Sequence, residues 1–267
     1  MDLISILFKS MQGRPPRRDE SAWHGLGRFC SAQGLAVALV PPVVEAFVVV
    51  GLPGRAASTK GTYRSELRRL AGGPRPKAAT PFPGSPAKAP YTSAEVAELW
   101  SVATSQGSAR RRASALAFLA LGIGAGLRPG EIAATVGDDV TCEHGRVSVE
   151  VAGRVVPVAG EHGSALARLA EDAGPGHLFR PGRGAVASKN LVNGFGPKLV
   201  AGPGAPRFSS GRARSSFICG HLANGTPLPV LLYISGIAEA GSLLRYARFV
   251  PGAPKSKAGL RQRLRSE

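Results

Sequence analysis

Apolar positions recur along this chain mainly with a helical period. From Ser21 onward, Trp23, Leu26, Phe29 and Cys30 fall on one helix face. Pro41-Pro42 suits a first helical turn, and the helix it opens carries Val44, Phe47 and Val48 as far as Gly51. A third helix begins near Ser58 or Thr59 and presents Tyr63, Leu67 and Leu70, with Lys60, Arg64, Arg68 and Arg69 around its other faces. Gly72-Gly73-Pro74 stops it. Between Gly73 and Pro90 come six prolines, three basic residues and no acidic one, a composition that predicts an extended linker and a domain boundary.

Beyond the linker, Thr92-Ser93-Ala94-Glu95 has capping-box spacing, and Val96, Leu99, Trp100 and Ala103 form the apolar stripe of the helix it starts. The next helix, Ala109 to Gly124, opens on Arg110-Arg111-Arg112 and then becomes almost wholly apolar, as a central core helix would. After Pro129-Gly130-Glu131-Ile132 the period changes to two. Arg146 to Val151 and Arg154 to Val158 flank Ala152-Gly153, which suits a hairpin turn in a small antiparallel sheet. Helical patterns return around Ser188 to Val200, Arg212 to Ala223, Pro229 to Ile234 and Ala238 to Phe249. The expected fold is mainly α with a small antiparallel β-sheet, in two domains. The expected divisions are a flexible basic arm (1–20), a helical domain (21–73), a Pro-rich basic linker (74–90), a mixed domain (91–250) and a basic tail (251–267).

Charge narrows the partner. Lys and Arg number 34 against 17 Asp and Glu, a formal net charge of +17. Such an excess predicts a polyanion, with nucleic acid ahead of an anionic membrane. The longest apolar stretch, Val37 to Leu52, is interrupted by Pro41, Pro42 and Glu45, so no membrane span or membrane partner is expected. Leu3 to Phe8 is short, follows Asp2 and precedes no small-residue cleavage site, which argues against a signal peptide and for a cytoplasmic, nucleoid-associated protein. Cys30, Cys142 and Cys219 lie far apart without a CxxC pair, so thiols are expected and no metal site.

Three segments carry a resemblance. Gly126-Leu127-Arg128-Pro129-Gly130-Glu131-Ile132 has the pattern G-x-R-x-x-E-[IL]; Ala213-Arg214-Ser215-Ser216-Phe217 keeps the Arg and Phe of H-x-L-R-H-T-F. Ile234-Ser235-Gly236-Ile237 is similar to an L-G-H turn, and nine residues beyond Ile237 stands Tyr246, between Arg245 and Ala247. Each match is weak alone. Their order and spacing, with the hairpin between the first two, resemble the tyrosine recombinases. Thr59 to Leu70, T-x-x-T-Y-R-S-x-L-R-R-L, is similar to part of that family's core-binding domain, so the likeness spans most of residues 21 to 250.

The resemblance implies a core-binding domain and a catalytic domain that clamp double-stranded DNA, a homotetramer on that DNA, and site-specific recombination or integration through a 3′-phosphotyrosyl intermediate. Tyr246 would be the nucleophile. Arg128 and Arg214 would hold the scissile phosphate, since planar guanidinium groups donate paired hydrogen bonds to two phosphate oxygens. The phosphotyrosyl bond conserves the phosphodiester's free energy, so no cofactor is implied. Phosphate-facing charge is expected from Lys60, Arg64, Arg68, Arg110, Arg111, Arg112 and Arg245.

Proton transfer is where the sequence departs from the family. Gly211 stands where histidine is usual, Ile237 stands where histidine is common, and the hairpin near Val149 to Ala152 has no lysine. Arg154, Arg212 and His221 are the accessory candidates. Two alternatives follow: a recombinase-fold DNA-binding protein of regulatory or architectural role with weak or absent chemistry, and a basic helical protein that binds nucleic acid nonspecifically. For Tyr246 the competing role is an amphipathic residue closing the core.

Overall fold

The computed structural model describes residues 17–72, 86–180 and 188–250. The chain divides into two compact units, Met1–Pro86 and Ala87–Glu267. The expected basic tail, most of the expected arm and the linker as far as residue 85 lie outside the described residues.

In the first unit α1 (Arg17–Ala32), α2 (Pro41–Val49) and α3 (Ala57–Leu70) bury Trp23, Leu26, Cys30, Val44, Phe47, Val48 and Leu67 against one another. Phe47 is the hub, with its ring 5.8 Å from Phe29 and 6.4 Å from Tyr63. The basic stripe of α3 has partners within the unit. Lys60, Arg64 and Arg68 recur every four residues and therefore share a face, and that face meets α2. Lys60 Nζ donates to Val49 O (3.2 Å), while Arg64 and Arg68 pair with the two carboxylate oxygens of Glu45 at 2.9 and 2.7 Å. Arg64 is only 6% exposed. Buried charge needs a partner, and Glu45, which interrupts an apolar helix, provides it.

The second unit starts at Ala87, inside the expected linker, because Ala87 and Tyr91 are buried in its core. α4 (Ser93–Thr104) carries the expected capping box, with Glu95 N on Thr92 Oγ1 and Thr92 N on Glu95 Oε2. α5 (Ala109–Leu119) runs into a π-helical turn, Ala120–Gly124; α5 packs on α7 (Gly160–Ala173), and the turn packs on both α7 and α9 (Ser210–Ala223). α6 (Pro129–Ala134) follows. The sheet is three-stranded and antiparallel: β1 (Val140–Glu143), β2 (Arg146–Val151) and β3 (Arg154–Val158). Ala152 and Gly153 both have positive φ, +49° and +72°, as a two-residue type I′ turn requires.

Three expectations need correcting here. α7 and β1 are additions. The helix expected over Ser188 to Val200 is a short α8 (Lys189–Asn193) and a 3₁₀ turn (Gly196–Lys198) broken at Gly194. After α10 (Leu228–Ser235), Ala238 to Phe249 forms a 3₁₀ turn (Ala240–Leu243) and one turn of α-helix, α11 (Leu244–Ala247). Among the described residues no single helix is long and apolar enough to cross a membrane.

Two measurements test this packing. Glu45→Ala should destabilise the first unit by about 3 kcal/mol, the low end for removing one partner of a buried pair. Urea unfolding followed by Trp23 fluorescence in a Trp100→Phe background reads it. In the second unit His162 stacks on Trp100 (5.3 Å), its Nδ1 is buried without a hydrogen bond, and burial pulls its pKa below the ordinary imidazole value. The unfolded chain therefore takes up the proton first as pH falls, so stability is lost on acidification below the ordinary value. The urea midpoint should drop from pH 7 to pH 5, and drop less in His162→Gln.

Candidate functional site

The site forms around the end of α10. Gly236, in the left-handed region (φ +62°), terminates the helix: Ile237 N bonds Leu232 O at 3.1 Å and Gly236 N bonds Tyr233 O at 3.0 Å, a Schellman closure. The carbonyls of Ile234, Ser235 and Gly236 are then available to side chains, and three arginines take them in turn. Arg154 Nε donates to Ile234 O (3.1 Å), Arg214 Nη2 to Ser235 O (2.7 Å) and Arg128 Nη2 to Gly236 O. Cations also favour this negative end of the helix dipole.

Each arginine arrives from a different element. Arg128 precedes Pro129 at the start of α6, Arg154 opens β3 after the hairpin turn, and Arg214 lies on α9. Glu131 gathers the first two. Its Oε2 accepts from Arg128 N at 2.7 Å and lies 3.0 Å from Arg154 Nη2, a charge contact without hydrogen-bond alignment; its Oε1 is 3.7 Å from Arg128 Nη1. Arg214 also donates to Gly126 O. Gly126 has φ +63°, and a Cβ there would stand 2.3 Å from the Phe217 ring, so the first box and α9 touch backbone to ring.

Tyr246, on α11, is 7% exposed and lines a cavity of about 350 Å³ together with Arg128, Arg214, Ile237, Ala238, Glu239, Ser242 and Arg245. Cys219 Sγ, 4.0 Å from Tyr246 O, packs α9 against this turn. Burial, then the charge of Arg128, pulls the Arg214 guanidinium below its ordinary value; Tyr246 and Glu131 act the other way and Arg154 with Arg128. The cavity thus has a cationic wall that an anion would relieve.

The three expected principal residues come together, and the accessory ones do not join them in the cavity. Arg154 is 5% exposed and committed to Glu131, Val151 O and Ile234 O. Arg212 turns away to Ala89 O, Pro90 O and Glu95, stacked 4.1 Å over the Tyr91 ring. His221 lies against the Phe217 ring with Nδ1 2.9 Å from Thr226 Oγ1, and burial lowers its pKa. Arg245 is exposed on the cavity rim, 5.5 Å from the Tyr246 ring. Arg110 and Arg111 line a separate cavity of about 260 Å³, where Arg180 and Lys198 join them, whereas Arg112 caps Gln106 O at 2.7 Å. Sequence reasoning missed Arg180 and Lys198, and also Glu239 and Ser242, which it enclosed in a continuous helix.

No protein-family model matches the chain, and no curated protein matches its sequence. Solved structures do. The chain is similar to the XerH site-specific recombinase bound to palindromic difH substrate in a post-cleavage complex, at 17% identity and TM-score 0.64, covering 91% of this chain and 77% of that one. It is similar also to the Tn1549 transposon integrase in complex with transposon right-end DNA, at 16% identity and TM-score 0.59, covering 99% and 98%. A complex of that integrase with circular intermediate DNA gives 16% identity and TM-score 0.56, covering 98% and 97%.

Gly236 is the residue on which the arrangement turns. A Cβ there would stand 3.0 Å from Arg154 Cζ, in a backbone conformation that costs a side chain about 1–2 kcal/mol by itself. Gly236→Ala should therefore lower stability by at least that amount in urea titrations. Gly130→Ala, at an open helical position of α6, should be neutral or raise stability by up to about 1 kcal/mol.

Proposed function

We propose that this chain, which has the fold of the tyrosine recombinases, is a site-specific DNA strand-exchange enzyme that works through Tyr246. One observation carries the reading: Tyr246, Arg128 and Arg214, from three separate elements, line one cavity. Tyr246 attacks the scissile phosphorus and forms a 3′-phosphotyrosyl bond, which a 5′ hydroxyl of another strand later displaces. Arg128 and Arg214 stabilise the charge that develops on the non-bridging oxygens. Their carbonyl contacts hold them in place before DNA arrives, so little reorganisation accompanies the reaction. The phosphodiester energy stays in the covalent bond, and neither a nucleotide nor a metal ion enters the scheme.

Double-stranded DNA is the proposed partner, with the net charge of +17 supplying salt-dependent affinity for phosphates. Strand exchange needs copies of the chain on two DNA sites, so a tetramer on DNA belongs to the same proposal. A second reading, a DNA-binding protein on this scaffold without efficient chemistry, is favoured by Gly211 and Ile237, which contribute no proton donor.

The test begins with a duplex that the protein selects from a randomised pool. Nicked near the cleavage point, that duplex should trap a covalent protein–DNA adduct, which Tyr246→Phe abolishes. Arg214→Lys should slow adduct formation by about a hundred- to a thousand-fold. An adduct that persists in Tyr246→Phe removes the nucleophile assignment. Tight, sequence-specific binding without any adduct establishes the second reading instead.

A further inference from the structure

As the P–O bond breaks, the departing 5′ oxygen must gain a proton, and the residues already placed at the cavity do not supply a good donor. Arginine holds its proton too firmly. The five histidines are elsewhere: His221 is engaged with Thr226, His162 is stacked on Trp100, His144 is at the turn between β1 and β2, His177 lies beside Val136, and His24 is in the first unit. The β2–β3 turn has no lysine. In the second unit the described lysines are Lys88, Lys189 and Lys198, and of these Lys88 packs on the helix that carries Arg214.

The contact is specific. A Cβ built on Gly211 would stand 3.1 Å from Lys88 Cδ, 3.5 Å from Cε and 3.6 Å from Cγ. The Lys88 stem therefore fills the space that a side chain at 211 would enter. Gly211 is three residues before Arg214 on α9, so the two share a face, about 4.5 Å apart along the axis. Lys88 Nζ lies 3.4 Å from Ser209 Oγ, where its side chain lines a cavity of about 840 Å³ at the start of α9, separate from the Tyr246 cavity, and among the described residues it has no carboxylate partner.

The backbone that presents Lys88 is fixed from both sides of the site. Arg248 Nη2, two residues beyond Tyr246, donates to Ala87 O at 2.7 Å. Arg212, on α9, donates to Ala89 O and Pro90 O at 3.2 and 3.1 Å. Tyr91 N donates to Ser216 Oγ at 2.8 Å, and Ser209 N donates to Tyr91 Oη at 2.7 Å. Residues 87–91 thus form a strap stitched to the Arg214 helix and to the chain just after Tyr246. Arg212 works here as a clamp.

We infer that Lys88 is the catalytic proton donor of strand cleavage, delivered by this strap into the place left open by Gly211. The inference rests on the strand-exchange reading of the same site. In the cleavage step Tyr246 Oη bonds to phosphorus and its phenolic proton passes to water. The P–O5′ bond breaks, its electron pair stays on the oxygen, and that oxygen takes a proton from Lys88 Nζ. In religation the 5′ oxygen bonds to phosphorus as its proton returns to the neutral amine, the P–Oη bond breaks, and the departing Tyr246 phenolate takes a proton from water.

A leaving-group substitution separates this role from a structural one. Two nicked duplexes of the selected sequence are compared, one with oxygen and one with sulfur at the bridging 5′ position, because a thiolate departs without being protonated. Lys88→Ala and Lys88→Arg should each slow adduct formation on the oxygen substrate by about 10²- to 10⁴-fold, the usual contribution of a general acid. Both variants should react with the sulfur substrate near the rate of the unaltered protein. Equal losses on the two substrates, or no loss on either, would overturn the assignment. If the unaltered protein forms no adduct with either duplex, the strand-exchange reading itself fails, and Lys88 with it.

Discussion

Three guanidinium groups on three successive carbonyls hold the second unit's site together. The end of a helix leaves carbonyl oxygens without partners. In α10 the Schellman closure at Gly236 satisfies some, and Arg154, Arg214 and Arg128 satisfy the next ones from β3, α9 and the start of α6. Hydrogen bonds from charged donors contribute about 1.5–3 kcal/mol each, and here they also join four elements at one point. Glu131 neutralises only part of the charge. The remainder faces the cavity beside Tyr246, so the interaction that organises the fold locally is also what makes the site attractive to a phosphate.

The same arithmetic explains why Arg154 and Arg128 have different parts. Arg154 is sealed between Glu131, Ile234 O and the Gly236 turn, and its charge is consumed by the scaffold. Arg128 is 51% exposed in its side chain and makes a longer approach to Glu131, so its N–H groups still face the cavity. Arg214 is intermediate: anchored at two carbonyls, yet lining the cavity wall. A half-buried acidic residue thus draws Arg154 into the scaffold and leaves Arg128 facing the opening with Arg214.

Much of this was legible in the sequence, for identifiable reasons. The boxes around Arg128 and Gly236 end helices or begin them, and Gly and Pro mark such places directly. The β2–β3 hairpin announced itself through alternation and Ala152-Gly153. α7 was missed although Gly163, Ala165, Leu166 and Leu169 recur at helical spacing, because that stripe holds only two large side chains among small ones and follows a glycine, Gly160. The pairing of Arg64 and Arg68 with Glu45 was not legible, because a run of cations gives no sign of the single carboxylate that another helix places opposite it. Lys88 was invisible for a similar reason. Its surroundings have the composition of a linker, and the contacts that make it part of the second unit come from residues more than 120 positions away, such as Ser209 and Arg212.

The π-helical turn at Ala120–Gly124 has a consequence of another kind. It holds one residue more than the regular helix would need in that stretch, midway between the core face of α5 and the Arg128 box. Each residue of an α-helix advances the chain by about 100°. Losing the extra residue would therefore keep every side chain of the box and still aim Arg128 at a different neighbour. For this segment the number of residues matters as residue identity does elsewhere: exchanges among apolar residues of similar volume would leave the direction of the chain into the Arg128 box alone, whereas a one-residue deletion would turn it.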